Sequence, residues 1–173
     1  MRGLSFYADG EFFTVDVTLV QKVARNMTVT PVPSAPDSVV GITNLKGRVV
    51  TILNLSALLG QSTEKAKKAA GIYDTEPVRA IVFKPFSDGD DQMGLLIDRP
   101  GNLTDIDEDK IMPLSIKTGK TGAAENLCLS GIAEIEGQLY RIIDVNSIIN
   151  YFKHGGENHA GIDITILKGG TDQ

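Results

Sequence analysis

Gly41-Ile42-Thr43-Asn44-Leu45-Lys46-Gly47-Arg48-Val49-Val50-Thr51-Ile52-Leu53-Asn54-Leu55 is the stretch that decides the fold. It returns 90 residues later as Gly131-Ile132-Ala133-Glu134-Ile135-Glu136-Gly137-Gln138-Leu139-Tyr140-Arg141-Ile142-Ile143-Asp144-Val145. In each copy an apolar run reaches a two-residue turn ending in glycine, Lys46-Gly47 or Glu136-Gly137, and a second apolar run comes back. That is the pattern of a β-hairpin, since glycine supplies the positive φ that a tight primed turn demands. The returning run stops at Asn54 or Asp144, whose side chains accept hydrogen bonds from the free N–H groups of a following helical turn. Leu55, Leu58 and Leu59 in one copy, and Val145, Ile148 and Ile149 in the other, give that turn an apolar face.

Working outward, Glu11 to Val15, Arg79 to Phe83, Met93 to Asp98, Cys128 to Ile135 and Gln138 to Ile143 read as further strands between Gly, Pro and Asp punctuation. Short helices are expected over Val17 to Asn26, Ser56 to Leu59, Glu64 to Ala70 and Asn146 to Phe152; long helical periodicity is absent. Two copies of one β-unit predict a mostly β chain of two small barrels side by side, each closed to remove its strand edges, with a groove between them. A fainter match of Thr14-Val15-Asp16 to Leu96-Ile97-Asp98 points to an equivalent earlier strand in each barrel.

Composition narrows the function. At 173 residues, 42% apolar and 23% charged, the chain has ordinary globular usage and buries roughly two-thirds of its unfolded surface on folding. Its apolar runs fall far short of the roughly 18 residues of a membrane span. The N-terminal residues lack the apolar core of a secretory signal, because Asp9 and Glu11 interrupt them. Cys128 is the single cysteine, so no intrachain disulfide forms. These features predict a cytoplasmic protein. A net charge of -5 opposes nucleic-acid binding, and the short basic run Lys65-Ala66-Lys67-Lys68 reads as a solvated surface.

The residues that carry chemistry are scarce. His154 and His159 are the only histidines, and both lie in a Gly-rich C-terminal segment. Residues 154–173 are expected to form a mobile tail outside the domain that spans 1–153. Cys128 sits in an apolar strand pattern with no histidine near it in sequence, as a core thiol does. The acidic clusters Asp88-Gly89-Asp90-Asp91 and Asp105-Ile106-Asp107-Glu108-Asp109 lack the spacing of a calcium loop, and no phosphate-binding glycine pattern occurs. No catalytic residue, metal site or cofactor is therefore predicted. A β-barrel binder of oligosaccharide or single-stranded nucleic acid would need exposed aromatic platforms, against which the chain has no Trp and 6% aromatics. A hydrolase in the groove would be left with carboxylates alone.

The segment from Gly41 to Leu55 resembles the CheW-like domain of chemotaxis coupling proteins, whose form there is G-V-T-N-L-R-G-x-I-V-P-I-V-D-L. Met93-Gly94-Leu95-Leu96-Ile97-Asp98 and Leu129-Ser130-Gly131 are similar to later elements of that family, and the likeness runs from about Phe6 to Phe152. The resemblance implies two interleaved five-stranded SH3-like barrels and a non-catalytic adaptor without cofactor. It implies two partners, the cytoplasmic tip of a methyl-accepting chemoreceptor and the regulatory domain of the histidine kinase CheA, met at receptor arrays on the inner face of the membrane. Neither nucleic acid nor membrane insertion is involved. A CheW-fold scaffold of a non-chemotaxis two-component pathway is the alternative within the same fold.

Carried over residue by residue, the resemblance puts a first-barrel contact segment on Val20, Lys22 and Val23 and a contact loop on Asn44, Leu45, Lys46 and Gly47. It assigns Leu95, Ile97 and Leu103 to the lining of the second barrel. The apolar members would form a groove for a helical partner, with the charged ones setting register. Thr51 and Asn54 replace the family's usual Pro and Asp at structurally tolerable cost, since Asn caps helices about as well as Asp. Two contact positions also depart from the family form: Lys22 stands where Glu is common and Lys46 where Arg is common. Two cations thus replace an opposite-charge pair, which calls for a more acidic partner surface.

Overall fold

The computed structural model describes residues 1–60, 78–86, 92–114 and 128–153. The strands are β1 (Arg2–Ala8), β2 (Glu11–Asp16), β3 (Val20–Met27), β4 (Val39–Leu45), β5 (Arg48–Leu53), β6 (Val78–Phe83), β7 (Gln92–Ile97), β8 (Arg99–Asp105), β9 (Met112–Pro113), β10 (Leu129–Ile135) and β11 (Gln138–Ile143). Among the described residues two helices, α1 (Leu55–Leu58) and α2 (Val145–Lys153), follow β5 and β11. The strands form two sheets, β3-β6-β7-β5-β4 (barrel one) and β8-β1-β2-β11-β10-β9 (barrel two). The mostly β, two-barrel architecture is thus the one the repeat predicts, with a sixth strand, the two-residue β9, added to barrel two.

Both predicted hairpins are present, with Leu45 opposite Arg48 and Ile135 opposite Gln138. Their turns take positive φ at both residues, 54° and 84° at Lys46-Gly47 and 51° and 78° at Glu136-Gly137, the signature of a type I′ turn. Asp9-Gly10, between β1 and β2, repeats it at 50° and 86°. The caps also match: Asn54 Oδ1 accepts from the Ala57 N–H at 3.2 Å, and Asp144 Oδ1 from the Ser147 N–H at 3.0 Å.

Strand registers show that the duplication covers the whole domain. β5 pairs in parallel with β7, and β11 with β2. Setting Thr51 opposite Met93 beside Arg141 opposite Phe13 makes β2 the counterpart of β7 at an offset of 80. The fainter match read from sequence was therefore two residues out of register. By the same comparison β1 corresponds to β6 and β3 to β8. Each half of the chain gives its first two strands to one barrel and the rest to the other.

The barrels close by one device. In barrel one Thr30 bridges Ile42 across the far edge through bonds of 2.8 and 2.9 Å, and in barrel two Met112 pairs with Ile132 at the equivalent place. Gly41 and Gly131, next to these contacts, let the backbones meet: a Cβ on Gly41 would stand 2.3 Å from the Thr30 carbonyl oxygen, and one on Gly131 2.9 Å from that of Met112.

Two expectations are corrected here. Residues 17–26 do not form a helix; a 3₁₀ turn at Val17–Leu19, capped by Asp16, passes directly into β3. Helix-like spacing of Val20, Val23, Ala24 and Met27 arises because β3 shifts register between Val20 and Lys22 and again between Arg25 and Met27, which breaks the two-residue alternation. The expected groove between the barrels is also largely filled. The main core lies there, joining Leu4, Phe6, Phe13 and Val15 of barrel two to Leu53, Ile81, Phe83 and Leu95 of barrel one, with α1 and α2 contributing Leu58, Leu59, Ile148 and Ile149. The helix expected over Glu64 to Ala70, the basic run, the acidic cluster from Asp88 and the segment after Lys153 lie outside the described residues.

Candidate functional site

With the space between barrels packed, contact surfaces must lie on outer faces and rims. Val20 and Val23 of β3 are half-buried against the shared core, so one side of each supports the fold while the other meets solvent. Lys22, just past a register shift, stands opposite Val82 and is partly exposed. Asn44, Lys46 and Gly47 are exposed and Leu45 half-buried. The loop they form is held by its own chemistry, since Asn44 Oδ1 accepts from the Gly47 N–H at 2.8 Å. β3 and β4 are the outer strands of one sheet, and the antiparallel Thr30–Ile42 bridge sets the Arg25 end of β3 and the Lys46 end of β4 at the same end of barrel one.

The three residues assigned to the second barrel separate. Leu103, on β8, is in barrel two and 51% exposed. Leu95 and Ile97 are on β7, in barrel one, and are 0% and 4% exposed, inside the shared core. Chain order misplaces them because the second half lends β6 and β7 to the first barrel. Leu103 is the positional counterpart of Val23: each lies opposite an equivalent core residue, Leu4 or Ile81.

Sequence reading missed a further matched pair. Val49 and Leu139, one residue into the returning strands, are 48% and 52% exposed and stand opposite Asn44 and Glu134. Apolar side chains at the same exposed position of both copies were visible in the repeat itself. A row unique to barrel two crosses four strands: Arg99 lies 4.7 Å above the Tyr7 ring, Tyr7 meets Phe12 at 5.1 Å, and Phe12 meets Tyr140 at 5.4 Å.

Charge divides the two faces more sharply than shape. Barrel one carries Lys22, Arg25, Lys46, Arg48, Arg79 and Lys84 against Asp37 and, just past the end of β7, Asp98, whose carboxylate accepts from the Asp9 N–H of barrel two. At the matching end of barrel two, Asp105, Asp107, Glu134 and Glu136 line one open cleft with Lys110. Position by position, Asp105 replaces Arg25 and Glu136 replaces Lys46. Among the described residues no group of three or more His, Cys, Asp or Glu is placed to hold a metal ion. Burial and, secondarily, the Asp144 carboxylate push the Cys128 thiol up to about 11, the opposite of an activated nucleophile. No helix among the described residues is long and apolar enough to cross a membrane.

Comparison with known proteins agrees with this geometry. The family model described as the CheW-like domain matches residues 2–153, which takes in every strand of both barrels. A "Chemotaxis protein CheW" of Thermotoga maritima is 28% identical over 148 residues, covering 84% of this chain and 85% of that one. One of Rhizobium meliloti is 26% identical over 145 residues, covering 84% of each. Among solved structures, the scaffolding protein TtCheW from Thermoanaerobacter tengcongensis superposes with a TM-score of 0.62 at 21% identity, over 83% of this chain and 88% of that one.

Proposed function

The chain belongs to the CheW-like domain family, and from that membership we propose that it is a chemotaxis adaptor. It is a non-catalytic coupler that holds the cytoplasmic tip of a chemoreceptor and the regulatory domain of the histidine kinase CheA together, in the cytoplasm at receptor arrays. The observation that carries this reading is the family match over residues 2–153, both barrels complete. Opposite charge on equivalent ends of the two barrels supports it, because a coupler needs two chemically different faces to seat two different partners without confusing them.

In this reading Val20, Val23 and the Asn44–Gly47 turn meet one partner on barrel one, Leu103 takes part on barrel two, and Leu95 and Ile97 hold the contact strands in place from the core. Lys22 and Lys46 set the register of an acidic partner surface. The test is a calorimetric titration of the purified chain against a CheA regulatory domain and a receptor-tip fragment from the same organism. Binding to both is expected, weakened by Val20→Asp or Lys46→Glu for at least one of them. Lys22→Glu should weaken the receptor contact; a well-folded chain that binds neither partner would remove the adaptor reading.

A further inference from the structure

We propose that Arg25 and Arg79 form a carboxylate clamp on barrel one, and that the protein seated there presents acidic side chains to these two guanidinium groups. This deepens the adaptor reading and rests on it.

The two arginines stand directly opposite each other on β3 and β6. Like charges directly opposite across an antiparallel pair are unfavourable, so such a pair calls for a counter-charge. The equivalent pair in barrel two has one: Arg2 of β1 is the counterpart of Arg79, Asp105 of β8 is the counterpart of Arg25, and Arg2 Nε lies 3.9 Å from Asp105 Oδ1. The same template position is thus self-neutralised in one barrel and left doubly cationic in the other. Neither Arg25 nor Arg79 has an ion-pair partner among the described residues, although Arg79 Nη1 donates to the Asp98 carbonyl at 2.9 Å. That bond orients one guanidinium and leaves its remaining donors available, in the planar fork geometry that matches a carboxylate.

The surroundings fit a protein partner better than a polyanion. Val23 lies two residues before Arg25 on the same face of β3 and is only half-buried, so the clamp borders an apolar strip, as charged rims do at protein interfaces. The chain as a whole carries -5, and the acidic cleft of barrel two would repel a phosphate backbone or an anionic bilayer as either wrapped further round the molecule.

Barrel two supplies the decisive variant. Arg25→Asp installs in barrel one the ion pair that barrel two already has. It should raise the melting temperature by about 1–3 °C while weakening binding of the titrated kinase domain or receptor tip about tenfold or more and flattening the salt dependence of that binding. Arg25→Ala, equally exposed, should give an intermediate loss. If the unaltered chain binds and Arg25→Asp binds equally well, the clamp is wrong and the adaptor reading survives. If the unaltered chain binds neither partner, the adaptor reading fails and takes the clamp with it. Sedimentation with phosphatidylserine vesicles that Arg25→Asp abolishes would reassign the arginines to lipid. Light-scattering self-association lost in the same variant would reassign them to a second copy; either result overturns the proposal.

Discussion

The two barrels share one template and fill it differently. Facing the interior of barrel one are Ala80, Val82, Thr43 and Ile52; the corresponding positions of barrel two hold Gly3, Ser5, Ala133 and Ile142. Val50, Ile52, Ala80 and Val82 belong to an eight-member buried cluster, whereas its counterpart holds, among the described residues, Ile106, Ala133 and Ile142. Each large aliphatic side chain fully buried contributes about 1.5–3 kcal/mol, so among the described residues barrel one carries the larger core of its own and barrel two leans more on the core the barrels share. Backbone register, turns and caps are set by a few positions that both copies keep, which leaves interior filling and surface charge free to diverge.

The largest test of that contrast is the matched pair Ile52→Ala and Ile142→Ala, 0% and 3% exposed. Urea unfolding should show a loss of about 3–4 kcal/mol for the first and about 2–3 for the second, because fewer neighbours surround the second cavity; equal losses would mean that the interiors are equally packed. Next come the closure glycines. A methyl on Gly41 meets backbone at 2.3 Å, while one on Gly131 first meets the Ile111 Cγ2 at 2.6 Å, a side-chain atom able to move. Gly41→Ala is expected to cost about 2–3 kcal/mol and Gly131→Ala about 1–2, and the reverse order would show that barrel two is the more tightly closed.

Cys128 gives an asymmetry that depends on pH. Its backbone carbonyl accepts from the Asp144 N–H at 2.8 Å, as Ser38 accepts from the Asn54 N–H in barrel one. Its thiol is raised from 9.0 to about 11, by burial and then by Asp144. Between those values the folded chain keeps a proton that the unfolded chain releases. Stability contributed by this group therefore falls as pH rises through 9, by about 1.4 kcal/mol per unit. Cys128→Ala should flatten that part of the stability profile relative to the unaltered chain, and parallel profiles would rule the thiol out as its source. The smallest effects have opposite signs. Thr43 Oγ1 donates to the Thr28 carbonyl at 2.8 Å, whereas the buried Thr14 Oγ1 in barrel two has no hydrogen-bond partner among the described residues. Valine should cost about 1 kcal/mol at 43 and gain up to about 1 kcal/mol at 14, measurable as Tm shifts of opposite direction.

Much of this was legible in sequence, for reasons that locate what was not. The hairpins at Lys46-Gly47 and Glu136-Gly137 and the caps at Asn54 and Asp144 could be read because local chemistry alone specifies a tight turn and a helix start. β3 was misread because register shifts scramble its alternation. β8 went unread because Arg99-Pro100-Gly101-Asn102 looks like a loop, and only its place at a sheet edge tolerates the proline. Residues 11–27 and 91–107 share no identity at their true offset of 80, only apolar character at Phe13/Met93, Val15/Leu95, Val17/Ile97 and Val23/Leu103. Of the proposed contact residues, Lys22 and the turn from Asn44 to Gly47 lie where a partner can reach them. Leu95 and Ile97 were beyond sequence reading, because an apolar strand residue shows the same pattern whether it faces a groove or a core.

The reciprocal lending of strands also sets a timetable for synthesis. Barrel one has all its strands once β7 has left the ribosome, but the N-terminal β1–β2 hairpin belongs to barrel two and finds β11 only when residue 143 emerges. At ~5–20 residues per second, those ~130 residues amount to a delay of roughly 7–25 s. Over the last ~45 of those residues, once β7 is out, Phe6, Phe13 and Val15 have the assembled first barrel to rest against. The hairpin made first is the last to find its sheet partner, and barrel one is in effect the chaperone of its own twin.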